Sequence, residues 1–329
     1  MSRSVFLSSC GDPFLTLLSL KFFQERFYDE VDKFYINFNN HCDVPKEVVG
    51  EFLQRASQEK KVHLIYHPTG IGNGMPITEM ALISKEDLIM LIEDDGYIFE
   101  GGEVNRAFQQ IESDLVDVVG SPRFSCGNEI GEASKKKYGL DYSAYGDVGP
   151  NFWPCFFFVK RKDLLKTDLD FGSHTFQAGE YSKELEHTFK EINHGDTMVW
   201  MSIQLRALGL RFGSVPQHKA DVYEITSKRD NVMNWHPTQQ PFKWIHGGSL
   251  SAGYGGYLSG RLPDVSNDSA KQEMESRVAF WTICSDVIDG FTEFKKEYKQ
   301  GIENLIIGCS LDKERIRVKI KIYRDLMKI

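Results

Sequence analysis

DLIMLIEDDGYIF, residues 87–99, is the stretch on which the reading of the whole chain turns. Five apolar residues in a row, Leu88 to Ile92, predict a strand buried on both faces. The run then breaks into three carboxylates, Glu93, Asp94 and Asp95, followed by a glycine. Like charges gathered at one strand end repel and raise each other's pKa, so a cation, or a ligand carrying one, would complete the arrangement. A solvated turn after a core strand is the competing reading of the same residues.

Working outward from that strand, the pattern alternates. Residues 4–8 form an apolar run, and Pro13 after Asp12 predicts a helix start, with Leu15, Leu18, Phe22 and Phe23 on the apolar side of a helix over 14–27. A strand over 33–38, a helix over 45–56, a strand over 61–67 and a glycine-rich turn leading into a helix within 68–84 follow. Beyond the acidic residues come a helix over 102–112 and a strand over 117–120. Strands alternating with helices of about a dozen residues predict an α/β fold, a mostly parallel central sheet with helices on both faces. Ligands of such sheets sit at the carboxyl ends of the strands, which gathers Ser8, Ser9, Asn39, His67 and Glu93 to Asp95 along one edge.

The second half is less regular. Residues 121–150 are polar without periodicity and read as a long loop or lid. WPCFFFV at 153–159 reads as an aromatic strand, and a further loop runs from 168 to about 181. His194-Gly195-Asp196-Thr197 precedes a helical run closed by Gly209, and from about Asp268 the pattern is helical to the end.

Composition excludes some classes of function. Among 329 residues, 41% hydrophobic and 26% charged describe an ordinary globular chain, and a net charge of −8 argues against general nucleic-acid binding. The six cysteines are scattered without a C-x-x-C pair or a signal peptide ahead of them, which predicts a reduced, cytoplasmic protein. No apolar run approaches the ~20 residues that span a bilayer. Residues 313–329 carry seven basic and two acidic side chains, a local charge of +5, and suggest peripheral contact with anionic lipid or a protein partner, or else a solvated helix packed on the domain.

With the strand ends, the acidic triplet and the acid-led helix in this order, the chain resembles the GT-A fold nucleotide-sugar glycosyltransferases. It is most similar to the large inverting family that includes cellulose, chitin and hyaluronan synthases. The resemblance covers roughly residues 4–250. It rests on Ser19, Leu20 and Gln24 in the first helix, Asn73-Gly74 with Glu79-Met80-Ala81, the IEDDG run as a D-x-D motif, and HGDTMVWMSIQLRALGLRFGSV. Two positions depart from the pattern: Asn37 or Asn39 stands where the family reads the nucleotide base with an aspartate, and Glu93 stands at the first position of the metal motif.

The resemblance implies a GT-A catalytic domain over 1–265, with a donor half of about 1–122 and an acceptor half of about 123–265, and a C-terminal helical extension over 266–329. It implies Mn²⁺ or Mg²⁺ held by Asp95 and Glu93, with His246 closing the metal site. Ser8, Ser9, Asn39, His67, Asn73 and Asp94 would line the nucleoside-diphosphate sugar. Asp196 would be the general base toward a carbohydrate or glycolipid acceptor. Glycines 247, 248, 253, 255 and 256 would form a flap, and Trp153 and Trp244 would stack on sugar rings. An N-cap role competes for Asp196. A retaining transferase, a sugar nucleotidyltransferase and a non-enzymatic carbohydrate-binding scaffold are the competing functions.

Overall fold

The computed structural model describes residues 1–41, 44–72, 74–98, 101–123, 126–140, 151–214, 220–221, 244–246, 262–263 and 265–329. In chain order the elements of its first half are β1 (Arg3–Ser9), α1 (Pro13–Phe22), β2 (Lys33–Asn39), α2 (Lys46–Ser57), β3 (Val62–His67), α3 (Met75–Ile83), β4 (Leu88–Glu93), β5 (Gly96–Ile98), α4 (Gly101–Glu112) and β6 (Val118–Arg123). Then come α5 (Asn128–Tyr138), β7 (Asn151–Lys160), α6 (Arg161–Leu164), β8 (His174–Phe176), β9 (Tyr181–Ser182), β10 (His187–Thr188), β11 (Asn193–Gly195), α7 (Val199–Ala207) and β12 (Phe212–Ser214). β13 (Ala220–Asp221), β14 (Trp244–His246), α8 (Asp268–Val287), α9 (Thr292–Gly308) and α10 (Lys313–Met327) complete the chain.

The acidic strand β4 stands at the middle of a seven-stranded sheet of order β12-β6-β7-β4-β1-β2-β3. Its pairs are parallel except the two made by β7, which runs antiparallel between β4 and β6. Side chains alternate across the sheet, as the pleat requires. Val5, Leu7, Phe34, Ile36, Leu88 and Met90 face one layer of helices that includes α1, α2, α4 and α8–α10. Phe6, Tyr35, Ile89 and Leu91 face the other, against Met80 of α3 and Met201 and Leu205 of α7. Each such side chain contributes roughly 1.5–3 kcal/mol on burial, so a strand apolar on both sides suits only a doubly covered sheet. The α/β fold with a mostly parallel sheet and C-terminal helices is therefore as expected.

The segment over 121–150 is not one irregular loop. It contains α5, which buries Ile130, Gly131, Ala133 and Ser134 and ends at Gly139 in the left-handed conformation, φ +63°. The expected loop over 168–181 likewise holds β8, paired antiparallel with β11. The first helix is shorter than predicted and passes into a π-helical turn at Phe23–Phe27.

Asp12 caps α1, accepting from Phe14 N at 2.8 Å and Leu15 N at 3.1 Å, and its other oxygen accepts from Tyr298 Oη of α9 at 3.0 Å. The C-terminal helices are thus tied to the first strand–helix turn, and Phe14 packs against Phe291, Phe294 and Tyr298. Burial pushes the Asp12 carboxyl up to about 6, against hydrogen bonds from Leu15, Tyr298 and Phe14 that pull it down. A folded pKa above the unfolded value of about 3.9 means that this stabilisation is complete below pH ~4 and is lost as pH rises through ~6. Asp12→Asn removes the dependence. Urea unfolding at a series of pH values should therefore show the variant gaining on the wild type by roughly 3 kcal/mol between pH ~4 and ~7. A difference that stays constant with pH would contradict the assignment.

Candidate active site

At the carboxyl edge of the sheet, β1 and β4 are in register with Ser8 beside Glu93, and β1 and β2 with Ser8 beside Asn37. The chain turns sharply after β4. Asp94 N donates to Ser8 O at 3.1 Å, and the Asp94 carboxylate accepts from Ser9 Oγ at 3.0 Å, Cys10 N at 2.8 Å and Cys10 Sγ at 3.2 Å. Its carbonyl accepts from Ser19 Oγ and Tyr97 Oη. Asp94 is therefore the peg that holds the acidic turn to the end of β1. Burial, and secondarily the neighbouring Asp95 charge, push its carboxyl up to about 8.

Asp95 is also buried, whereas Glu93 is half-buried and its Oε2 accepts from Cys155 Sγ at 2.7 Å. One ligand atom from each of Glu93, Asp95 and Cys155 lies within 4.8 Å of the others. Two hard carboxylates and a thiol converging this closely fit a divalent cation as a donor set.

The neighbouring strand ends join the same edge. Gly11 lies at φ +100°, and a Cβ there would meet Asn39 O at 2.3 Å, so only glycine lets the β1–α1 turn close onto the end of β2. Asn39 is buried. Its amide donates to Ser9 O and to Asn37 Oδ1, both at 3.2 Å, and its Oδ1 finds no hydrogen-bond partner among the described residues. Asn37 Nδ2 donates to Glu79 Oε2 at 2.8 Å, and the same oxygen meets His67 Nε2 at 2.7 Å, linking β2, β3 and α3. His246 is opposite Gly96 in the antiparallel β14–β5 pair, one residue from Asp95 along the chain. The side chains of His246, Trp153 and Trp244, together with Asn73 and the glycines of 247–256, lie outside the described residues.

Asp196 is exposed and precedes α7 on the sheet face that carries Ile89 and Leu91. It is not the helix cap. That position belongs to Met198, which is fully buried in the left-handed region at φ +73° and makes no side-chain cap bond. Asp196 Oδ1 instead accepts from Thr197 N at 2.8 Å. A buried non-glycine side chain held at positive φ is a local strain that surrounding structure must hold in place, a feature concentrated at functional sites. Beside it, His194 Nδ1 meets Thr175 Oγ1 at 2.9 Å, and Trp200 stacks on His174 at 4.8 Å while its Nε1 donates to Asp168.

No protein-family profile and no curated protein sequence matches the chain. Among solved structures it is similar to S. aureus TarS in complex with UDP-GlcNAc, at 10% identity and a TM-score of 0.45 over 93% of this chain and 73% of that one. It is similar also to the mannosyltransferase PcManGT from Pyrobaculum calidifontis in complex with GDP-Man and Mn²⁺, at 9% identity and a TM-score of 0.45 over 99% and 80% of the two chains. A third is glucosyl-3-phosphoglycerate synthase from Mycobacterium tuberculosis with Mn²⁺, UDP and phosphoglyceric acid, at 13% identity and a TM-score of 0.34 over 50% and 57%. These are distant likenesses.

Sequence reasoning passed over the two thiols at this edge. Cys155 sits in a run that reads as core, and nothing in an apolar run says that it is antiparallel to β4. Given that direction, the pairing that ends at Leu91 opposite Phe157 would, extended by two residues, set Glu93 against Cys155, and their side chains do meet. Cys10 was hidden for a simpler reason: it lies in the turn after β1, and its contact with Asp94 exists only once β1 and β4 are paired.

Proposed function

We propose that the protein is a metal-assisted glycosyltransferase of the GT-A type that moves a sugar from a nucleoside-diphosphate sugar to an acceptor hydroxyl. The acceptor would be a glycan, a polysaccharide or a lipid-linked oligosaccharide. The observation that supports this most is the acidic turn at the carboxyl end of the central strand, where Glu93 and Asp95 converge while Asp94 is spent on holding the turn in place.

Glu93 and Asp95, with His246 from the neighbouring strand, would hold Mn²⁺ or Mg²⁺. When bound, such a cation supplies Lewis-acid stabilisation of the departing diphosphate. The ends of β1, β2 and β3, with Ser8, Ser9, Asn39 and His67, would bind the nucleotide, as would Asn73, while Asp94 would support them by holding the turn. The buried Oδ1 of Asn39 suits an imide N–H donor, as uracil, thymine and guanine carry and cytosine does not. Asp196 would take the proton of the acceptor hydroxyl, with inversion at the anomeric carbon. An exposed carboxylate is where an incoming acceptor can reach it.

Calorimetric titration with UDP, GDP, dTDP and CDP, with and without Mn²⁺, tests the proposal. Metal-dependent binding of at least one of the first three is expected. No metal-dependent binding of any would overturn it.

No helix among the described residues is long and apolar enough to cross a membrane. Among the described residues Cys10, Cys126, Cys155, Cys284 and Cys309 are not in disulfides, which suits a reducing, cytoplasmic setting. Peripheral attachment would come from α10, which buries Ile316, Tyr323 and Met327 and exposes Lys313, Arg315, Arg317 and Lys321. Vesicles containing phosphatidylserine should sediment the protein at low salt, and Arg317→Glu with Lys321→Glu should release it, at about 1 kcal/mol for each basic residue near the surface. Equal sedimentation of wild type and variant would refute that surface.

A further inference from the structure

Cys155 is fully buried, and its thiol donates to the Glu93 carboxylate at 2.7 Å. It is held by a strand and not by a loop, lying within β7 two residues before Phe157, where the pairing with β4 ends at Leu91. The acidic turn is built around the sulfur: a Cβ on Gly96 would come within 3.2 Å of Cys155 Cβ and 3.4 Å of Sγ. Gly96 therefore lets the turn lie close against the Cys155 side chain. Sγ and one oxygen each of Glu93 and Asp95 fall within 4.8 Å of one another.

Resting on the metal site proposed above, we infer that Cys155 is a ligand of that cation, making the site a mixed carboxylate–thiolate centre that selects thiophilic divalent ions over Mg²⁺. Carboxylates alone suit Mg²⁺ and Mn²⁺, whereas a thiolate ligand favours Zn²⁺ and Co²⁺. Binding proceeds without redox change. The S–H bond of Cys155 breaks, its proton passes to solvent, and the sulfur lone pair forms the bond to the cation. The hydrogen bond to Glu93 Oε2 is lost in the same event, which frees that oxygen as a second ligand. One proton is released for each cation bound.

Co²⁺ is the probe, added alone to the full-length protein. The wild type should develop the near-ultraviolet sulfur-to-cobalt charge-transfer absorption. Cys155→Ser and Cys155→Ala should lose it while still binding Co²⁺, and Cys10→Ser, which removes the other thiol at this edge, should retain it. The same Cys155 variants should bind Zn²⁺ at least about a hundredfold more weakly, more than loss of an outer-shell partner would cost, and Mg²⁺ unchanged. In the wild type alone, titrating Zn²⁺ in buffers of different ionisation enthalpy should report proton release, which keeps the test valid if the Cys155 variants fold poorly. Co²⁺ binding without the charge-transfer absorption, or an absorption that survives loss of Cys155, overturns the thiolate ligand and leaves the carboxylate site standing. Failure of the wild type to bind Co²⁺, Zn²⁺ or Mn²⁺, alone or with a nucleoside diphosphate, overturns the metal site itself.

Discussion

Asp95→Asn is expected to abolish metal-dependent nucleotide binding while leaving the fold intact or slightly more stable. The first half follows from its place in the converging trio with Glu93 and Cys155, where it offers a carboxylate oxygen whose charge a bound cation would draw on. An amide keeps the shape and loses that charge. Loss of an outer-shell partner alone costs about 10–100-fold in metal affinity, so loss of an inner ligand should cost at least about a hundredfold. The second half follows from electrostatics. The Asp95 charge is the second cause, after burial, of the raised Asp94 carboxyl, so removing it relieves a repulsion between two buried neighbours. Calorimetry with Mn²⁺ and the preferred nucleoside diphosphate should show no binding, and thermal unfolding without metal should show a midpoint at or above that of the wild type. A lower midpoint with metal binding retained would make Asp95 a structural residue.

Asp196→Asn should separate binding from chemistry. Donor binding is expected to stay within about twofold of the wild type, while turnover falls by about 10²–10⁴, the usual contribution of a positioned general base. Stability should change by less than about 0.5 kcal/mol, because the side chain is exposed and does not cap α7. Activity retained with a loss of about 1 kcal/mol would restore the capping role instead. Transfer with retention of anomeric configuration, followed by nuclear magnetic resonance of the product, would remove Asp196 from the base position and leave the donor site untouched.

What the sequence made legible has a common physical basis. Strands buried on both faces leave unbroken apolar runs, and Leu88 to Ile92 and Phe156 to Val159 are strands for that reason. The Asp12-Pro13 pair marked a helix start because its cap is local, and the carboxyl-edge rule brought Ser8, Ser9, Asn39, His67 and Glu93 to one side of the sheet. What stayed hidden is non-local or short. An apolar run carries no strand direction, so the antiparallel course of β7, and with it the meeting of Cys155 and Glu93, could not be read. Strands of two or three residues such as β8 to β11 are too brief for alternation to register. The helix α5 buries only small residues besides Ile130, and its Lys135-Lys136-Lys137 run masks the period; Gly139, a left-handed stop, is the signal that marks it.

Crystals grown with Mn²⁺ and the nucleoside diphosphate of highest affinity, measured at the manganese absorption edge, test the metal-assisted nucleotide site most directly. An anomalous peak between the Glu93 and Asp95 carboxylates, touching the diphosphate at the ends of β1 and β4, is the expected result. Nucleotide bound at that edge with no peak at Asp95, or a peak elsewhere on the protein, would contradict it.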